Sequence, residues 1–221
     1  MAGRALRLAH RGDHRVQAEN SLGAMLVAMA SPGCDGLEFD VRLSLDGVPI
    51  LLHDASLERV QLVDARAADL TALELAGHGI PTLAEVLERV PRRAFLDVEL
   101  KADLGRAVVE VLAAGRGAEL QRAVISSFEV AAIERIRGLA PAWPCWLNRD
   151  TLRPGDVRLA RELGCVGVSV DWHAIDAAAL DRAWALDLEV AAWTVRDPRV
   201  ARRLEAAGVV ALCVEGRAFP H

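Results

Sequence analysis

The chain has 221 residues, of which 52% are hydrophobic and 26% charged, and its formal net charge is −5. This composition describes a soluble globular protein long enough for one large α/β domain, expected to span residues 1–221. Basic residues are scattered rather than gathered in runs and Tyr is absent, which speaks against nucleic acid as a partner.

No run of 18 or more apolar residues suggests a membrane span. The opening MAGRALRLAH lacks the apolar core and cleavage site of a secretory signal, so a cytoplasmic location is expected. Cys34, Cys145, Cys165 and Cys213 are widely separated and show no CxxC spacing, as for thiols used as small hydrophobes.

Short apolar runs near 5–10, 36–41, 94–100, 122–126, 143–147, 165–170, 188–194 and 209–214 read as eight strands. The first ends in His10-Arg11-Gly12, and SLGAMLVAMA then reads as a helix that Asn20 or Ser21 could cap. The second strand, DGLEFDVRL, puts Glu38 and Asp40 on one face, because residues two apart in a strand point the same way. Asp46-Gly47 is a hairpin turn signal, so VPILLHD reads as an antiparallel ribbon folding over the sheet's end and carrying His53 toward Glu38 and Asp40.

TLAEVLERV reads as a helix leading to the third strand, AFLDVELKA, where Glu99 and Lys101 again share a face. Ser126 and Ser127 end the fourth strand, Asp171 and His173 follow the sixth, and Trp193 and Thr194 end the seventh. Helical stretches alternate with strands throughout, which implies a parallel sheet closing as an eight-stranded (β/α)8 TIM barrel with a small hairpin near its mouth. Only GRAFPH follows the last strand, so the eighth helix is expected to be short or missing; a homodimer is one way to cover that flank.

Barrel enzymes place reacting groups at the C-terminal ends of the strands, where these polar residues collect. Three carboxylates on otherwise apolar strands would repel one another and lose hydration unless something positive sits among them. A bound divalent cation is the simplest candidate; a salt-bridge network with Arg11, Arg42 or Lys101 is the alternative. Trp193 reads equally as barrel core or as a ligand-facing wall. His14, His78 and His221 have no comparable placement and read as solvated, and Asp103 to Arg106 as a helix-start pair.

His10-Arg11-Gly12, Glu19-Asn20-Ser21, Glu38-x-Asp40-Val41, Asp46-Gly47, His53-Asp54, Ile80-Pro81-Thr82-Leu83, Glu99-x-Lys101, Ser127-Phe128 and Trp193-Thr194-Val195 resemble, in order and spacing, the glycerophosphodiester phosphodiesterase family. The resemblance implies one divalent ion, Mg²⁺ or Ca²⁺, on Glu38, Asp40 and Glu99, with His10 and His53 as acid and base. It also implies phosphate-holding roles for Arg11 and Lys101 and a place near the site for Glu19. The expected activity is hydrolysis of a small phosphodiester to glycerol 3-phosphate and an alcohol, through attack by the glycerol 2-hydroxyl and a cyclic phosphate that water then opens.

The chain departs from the family pattern at Ala18, Arg59-Val60 and Val214-Glu215-Gly216-Arg217, and its 55–79 segment is short. A small, open mouth would also suit lysophospholipids, which would make the activity lysophospholipase D-like. A non-catalytic barrel binding a phosphorylated metabolite is a further alternative, although a binder has no need of two proton carriers.

Overall fold

The structure is a computed structural model in which residues 4–219 are described. Strands β1 (Leu6–His10), β2 (Gly36–Leu43), β4 (Phe95–Leu100), β5 (Ala123–Ser127), β6 (Cys145–Arg149), β7 (Gly167–Asp171), β8 (Glu189–Val195) and β9 (Ala211–Val214) pair in parallel, each with the next. β1 joins both β2 and β9, which closes the sheet into a barrel. All eight coincide with the expected strands to within a few residues.

The strands are linked on the outside by helices α1 (Leu22–Ala30), α4 (Leu83–Arg89), α5 (Gly105–Arg116), α6 (Val130–Leu139), α7 (Pro154–Glu162), α8 (Ala177–Trp184) and α9 (Pro198–Ala206). Their starts follow local chemistry. Ser21 caps α1 by accepting from the Ala24 N–H, and Thr82 and Glu85 form a reciprocal capping box at α4. Pro198 follows the Asp197 cap of α9, where a missing N–H costs nothing. Apolar helix faces such as Met25, Val86 and Val108 pack on the outward residues Leu37, Phe39, Leu96 and Val98 to form the main core.

Inside the barrel the alternate residues form a second core of Leu8, Val124, Trp146, Ala191, Ala211 and Cys213, with Phe95 stacked on Trp146 at 6.1 Å. Glycine makes room for these rings: a Cβ on Gly36 would collide with the Phe95 carbonyl, and one on Gly167 would lie 2.6 Å from the Glu189 carbonyl and 2.9 Å from Trp146.

The hairpin expected after the second strand is present. β3 (Pro49–Leu51) runs antiparallel to Val41–Leu43, beyond the stretch of β2 that pairs with β1. The chain from there to α4 is more structured than a ribbon. It contains α2 (Glu58–Gln61) and α3 (Ala72–Gly77), and Ile50, Leu52, Leu57, Ala67, Leu75 and Ile80 give it a small core of its own. After β9 there is a 3₁₀ turn, Gly216–Ala218, and a buried Phe219. No helix among the described residues is long and apolar enough to cross a membrane.

Candidate active site at the barrel mouth

A cavity of about 310 Å³ opens at the C-terminal ends of the strands, lined by His10, Arg11, Glu38, His53, Glu99, Lys101 and Trp193 among others. A larger hollow of about 720 Å³ lies outside the barrel between α4 and α5, but it has neither histidines nor a converging group of acids. Asp40 sits beneath the cavity, fully buried. One oxygen from each of Glu38, Asp40 and Glu99 lies within 4.8 Å of the other two.

The cations expected as alternatives to a metal are present as well. Arg11 Nε is 3.1 Å and Lys101 Nζ 2.8 Å from Asp40, and Lys101 also pairs with Glu99. Asn20 completes the shell of Asp40, donating to its carboxylate at 2.8 Å and accepting from its backbone N–H at 3.2 Å. Arg42 takes no part, because both ends of its guanidinium donate to the His53 carbonyl at 2.9 and 2.7 Å.

The acids differ in charge state for local reasons. Burial opposes the Asp40 charge, but Lys101 and Arg11 outweigh it and hold this carboxyl below its usual range. Glu38 is pushed well upward by burial and by the neighbouring Asp40, Glu99 and Asp97. Glu99 is raised by burial and by Asp40, against the pull of Lys101.

The donor set fits a hard divalent cation. Three carboxylates supply oxygen alone, and oxygens bound to one such ion at about 2.0–2.6 Å stand no more than about 5 Å apart, a limit these three meet. Burial, and then the neighbouring Asp40, Glu99 and Asp97, raise Glu38 against the pull of Arg11, a strain that a bound cation would relieve.

The two histidines stand in unlike settings. His53 Nδ1 donates to Asp54 at 2.7 Å, and Asp54 is held in turn by Arg59, which reaches Glu19 at 2.6 Å. Glu19 also accepts from Arg11 at 3.0 Å, so the Glu19 placement that the family resemblance implied links both sides of the mouth. This pairing fixes the neutral tautomer of His53 with a free lone pair on Nε2. Burial lowers the pKa of His53, and burial together with Arg11 lowers that of His10 to about 4. Both imidazoles are therefore neutral at pH 7. Trp193 rests edge-to-face on Phe128 at 5.6 Å and forms part of the wall.

Some sequence expectations need correction. His14 is drawn into the mouth, 2.9 Å from Glu215, while His78 is exposed and His221 lies outside the described residues. Glu215 lies 3.8 Å from His10 and is ion-paired with Arg196; despite burial, His14, His10 and Arg196 hold its pKa at about 2. Asp103 pairs with Arg135 at 3.0 Å rather than with Arg106. Asp171 and His173 pair with each other at 2.6 Å.

Asp97, Asn148 and Ser169 also line the cavity, although no motif in the sequence marks them. Burial raises Asp97 to about 7, against a hydrogen bond donated by Ser126. Its place was legible, since it stands two residues before Glu99 on the same strand face.

Residues 10–216 match the sequence pattern of the glycerophosphoryl diester phosphodiesterase family. The chain belongs to this family. A glycerophosphodiester phosphodiesterase of Caldanaerobacter subterraneus is 31% identical over 162 residues, which span 62% of this chain and 64% of that protein, just under two thirds of its length. A probable glycerophosphodiester phosphodiesterase 1 of Mycobacterium tuberculosis is 28% identical over 229 residues, 88% of this chain and 83% of that one.

Among solved structures, an Oleispira antarctica phosphodiesterase in complex with the product sn-glycerol-3-phosphate superposes with a TM-score of 0.84 at 26% identity, covering 98% of this chain and 94% of that one. A Thermotoga maritima glycerophosphodiester phosphodiesterase, at 24% identity and TM-score 0.79, shares the fold over 99% of this chain and 97% of its own. The closed (β/α)8 barrel is thus common to this chain and to solved phosphodiesterases of the family.

Proposed function

We propose that the protein is a metal-dependent phosphodiesterase that converts glycerophosphodiesters into glycerol 3-phosphate and an alcohol. The observation that carries the reading is the meeting, in one cavity, of two neutral imidazoles with three acids able to share a cation. The product bound in the Oleispira antarctica enzyme supports the substrate class.

Arg11 and Lys101 would draw the phosphodiester anion into the mouth and offset the charge that grows on its equatorial oxygens. A divalent cation, Mg²⁺ or Ca²⁺, held by Glu38, Asp40 and Glu99 would polarise the phosphoryl group and lower the barrier to attack on phosphorus. One histidine removes the proton of the attacking glycerol 2-hydroxyl and the other protonates the departing alcohol; the roles are exchanged when water opens the cyclic phosphate. Asp54, accepting from Nδ1, leaves Nε2 as the atom through which His53 exchanges protons. Trp193 and Phe128 would form a wall for the glycerol or the alcohol moiety.

The test is release of glycerol 3-phosphate from a panel of glycerophosphodiesters, with choline release from glycerophosphocholine and from its acylated form followed in parallel, with and without chelator. We expect turnover of the non-acylated diester, loss on chelation, and near-complete loss in His10→Ala and Glu38→Ala. Preference for the acylated form would move the activity to lysophospholipids. Activity retained in either variant would overturn the roles of His10 and Glu38, and binding without turnover would make the barrel a binder only.

A further inference from the structure

The loop after β1 and the turn after β9 bring together three groups that the proposed reaction does not explain as a set. His14 Nε2 lies 2.9 Å from Glu215 Oε2, and His10 Nδ1 lies 3.8 Å from Glu215 Oε1. One donor atom from each of the three residues falls within 4.8 Å of the other two. His10 Nδ1 is a buried atom without a hydrogen bond, and His14 Nε2 meets the Glu215 carboxylate in an ion-pair contact that a bound cation would replace. Two buried ring nitrogens facing one carboxylate form a ligand set.

Ligands around a tetrahedral zinc ion at about 2.0–2.1 Å stand about 3.3 Å apart. One donor atom from each residue, all within 4.8 Å of one another, lies close enough for small side-chain movements to bring the three onto such an ion. Two imidazoles and one carboxylate suit a borderline-soft ion, whereas the all-oxygen set of Glu38, Asp40 and Glu99 suits a hard one. Arg196, which pairs with Glu215, is 69% exposed and can swing into solvent when a cation replaces it.

We propose that His10, His14 and Glu215 form a second metal site, selective for zinc, whose occupation arrests the enzyme. Zinc on Nδ1 of a neutral imidazole leaves the ring proton on Nε2, so His10 can donate a hydrogen bond there but has no lone pair with which to accept a proton. A reaction in which each histidine must accept a proton in one half and donate it in the other then stops. The inhibitory consequence rests on the proton-carrying role proposed above for His10; the zinc site does not.

The experiment therefore has two readouts. Zinc retained per chain after dialysis is measured for the wild type, His14→Gln, Glu215→Gln and Glu99→Gln, and turnover is titrated with zinc in the presence of excess magnesium. The wild type is expected to retain one zinc more than His14→Gln or Glu215→Gln, and Glu99→Gln is expected to retain at least that one zinc. Turnover should fall by about tenfold or more on saturation in the wild type, while His14→Gln keeps its activity within about twofold and resists zinc. Equal zinc content in wild type and His14→Gln would overturn the site, and bound zinc that leaves turnover unchanged would overturn its inhibitory role. Absence of any phosphodiesterase activity would count against the proposed function alone, since zinc retention is read without it.

Discussion

The floor and the mouth of this barrel are built by the same strands, a short distance apart, and follow opposite rules. Leu8 gives way to His10 two residues further along β1, Phe95 to Asp97 and Glu99 along β4, Val124 to Ser126 along β5, and Trp146 to Asn148 along β6. Two residues of strand rise about 6.6 Å. Within that distance the interior changes from stacked rings closed over glycines to acids whose repulsion is only partly offset. The floor serves stability and the mouth gives some of it up, which is how perturbed carboxyls and neutral histidines persist inside a folded protein.

Substitutions at the two levels should therefore separate cleanly. The largest effect is expected from His10→Ala, which should lower kcat by about 10²–10⁴-fold with little change in melting temperature, read from steady-state kinetics beside thermal melts. A comparable loss of stability on removing this side chain would erase the contrast. At the floor, Trp146→Ala should cost about 3–5 kcal/mol of folding stability by denaturant titration, because it empties a buried ring site.

Asp54→Asn should slow turnover by about tenfold without changing KM, since it weakens the orientation of His53 and touches no substrate. A change in KM alone would show that Asp54 acts in binding.

The smallest effect sharpens the comparison most. Folded Asp97 keeps its proton up to about pH 7, whereas the unfolded chain releases it near the ordinary aspartate value of 3.8. The folded state thus binds more protons between those values, and stability from this group is full below pH 4 and declines as pH rises to 7. Asp97→Asn in metal-free protein should melt roughly 2–4 °C higher than wild type at pH 8, a gap that closes near pH 4. An equal gap at both pH values would mean that packing, not charge, is responsible.

The strands, and the residues at their ends, were legible because a period of two fixes which side chains share a face. Glu38 with Asp40 and Glu99 with Lys101 could be placed on that basis alone, and Asp97 obeys the same rule. Glu215 follows the same alternation, in extended backbone two residues beyond the interior Cys213, whereas His14 could not be found that way, since it lies in the loop after β1. Arg11 and Gly12 both take left-handed backbone, φ 56° and 78°, which turns the chain sharply after β1. The close approach of Gly12 to the Ala24 backbone, where a Cβ would lie 2.6 Å away, then returns the loop toward the mouth. Local sequence does not reveal such long-range returns. The helix α3 was more accessible, because Thr71 and Glu74 spell a capping box.

Trp146 and Phe95 plug the barrel from below, so the cavity is a blind well. Whatever enters must leave by the same doorway, and in the proposed reaction water would have to follow the departing alcohol through it. Traffic through this protein is therefore sequential by construction, and residues on the rim govern departure as much as arrival.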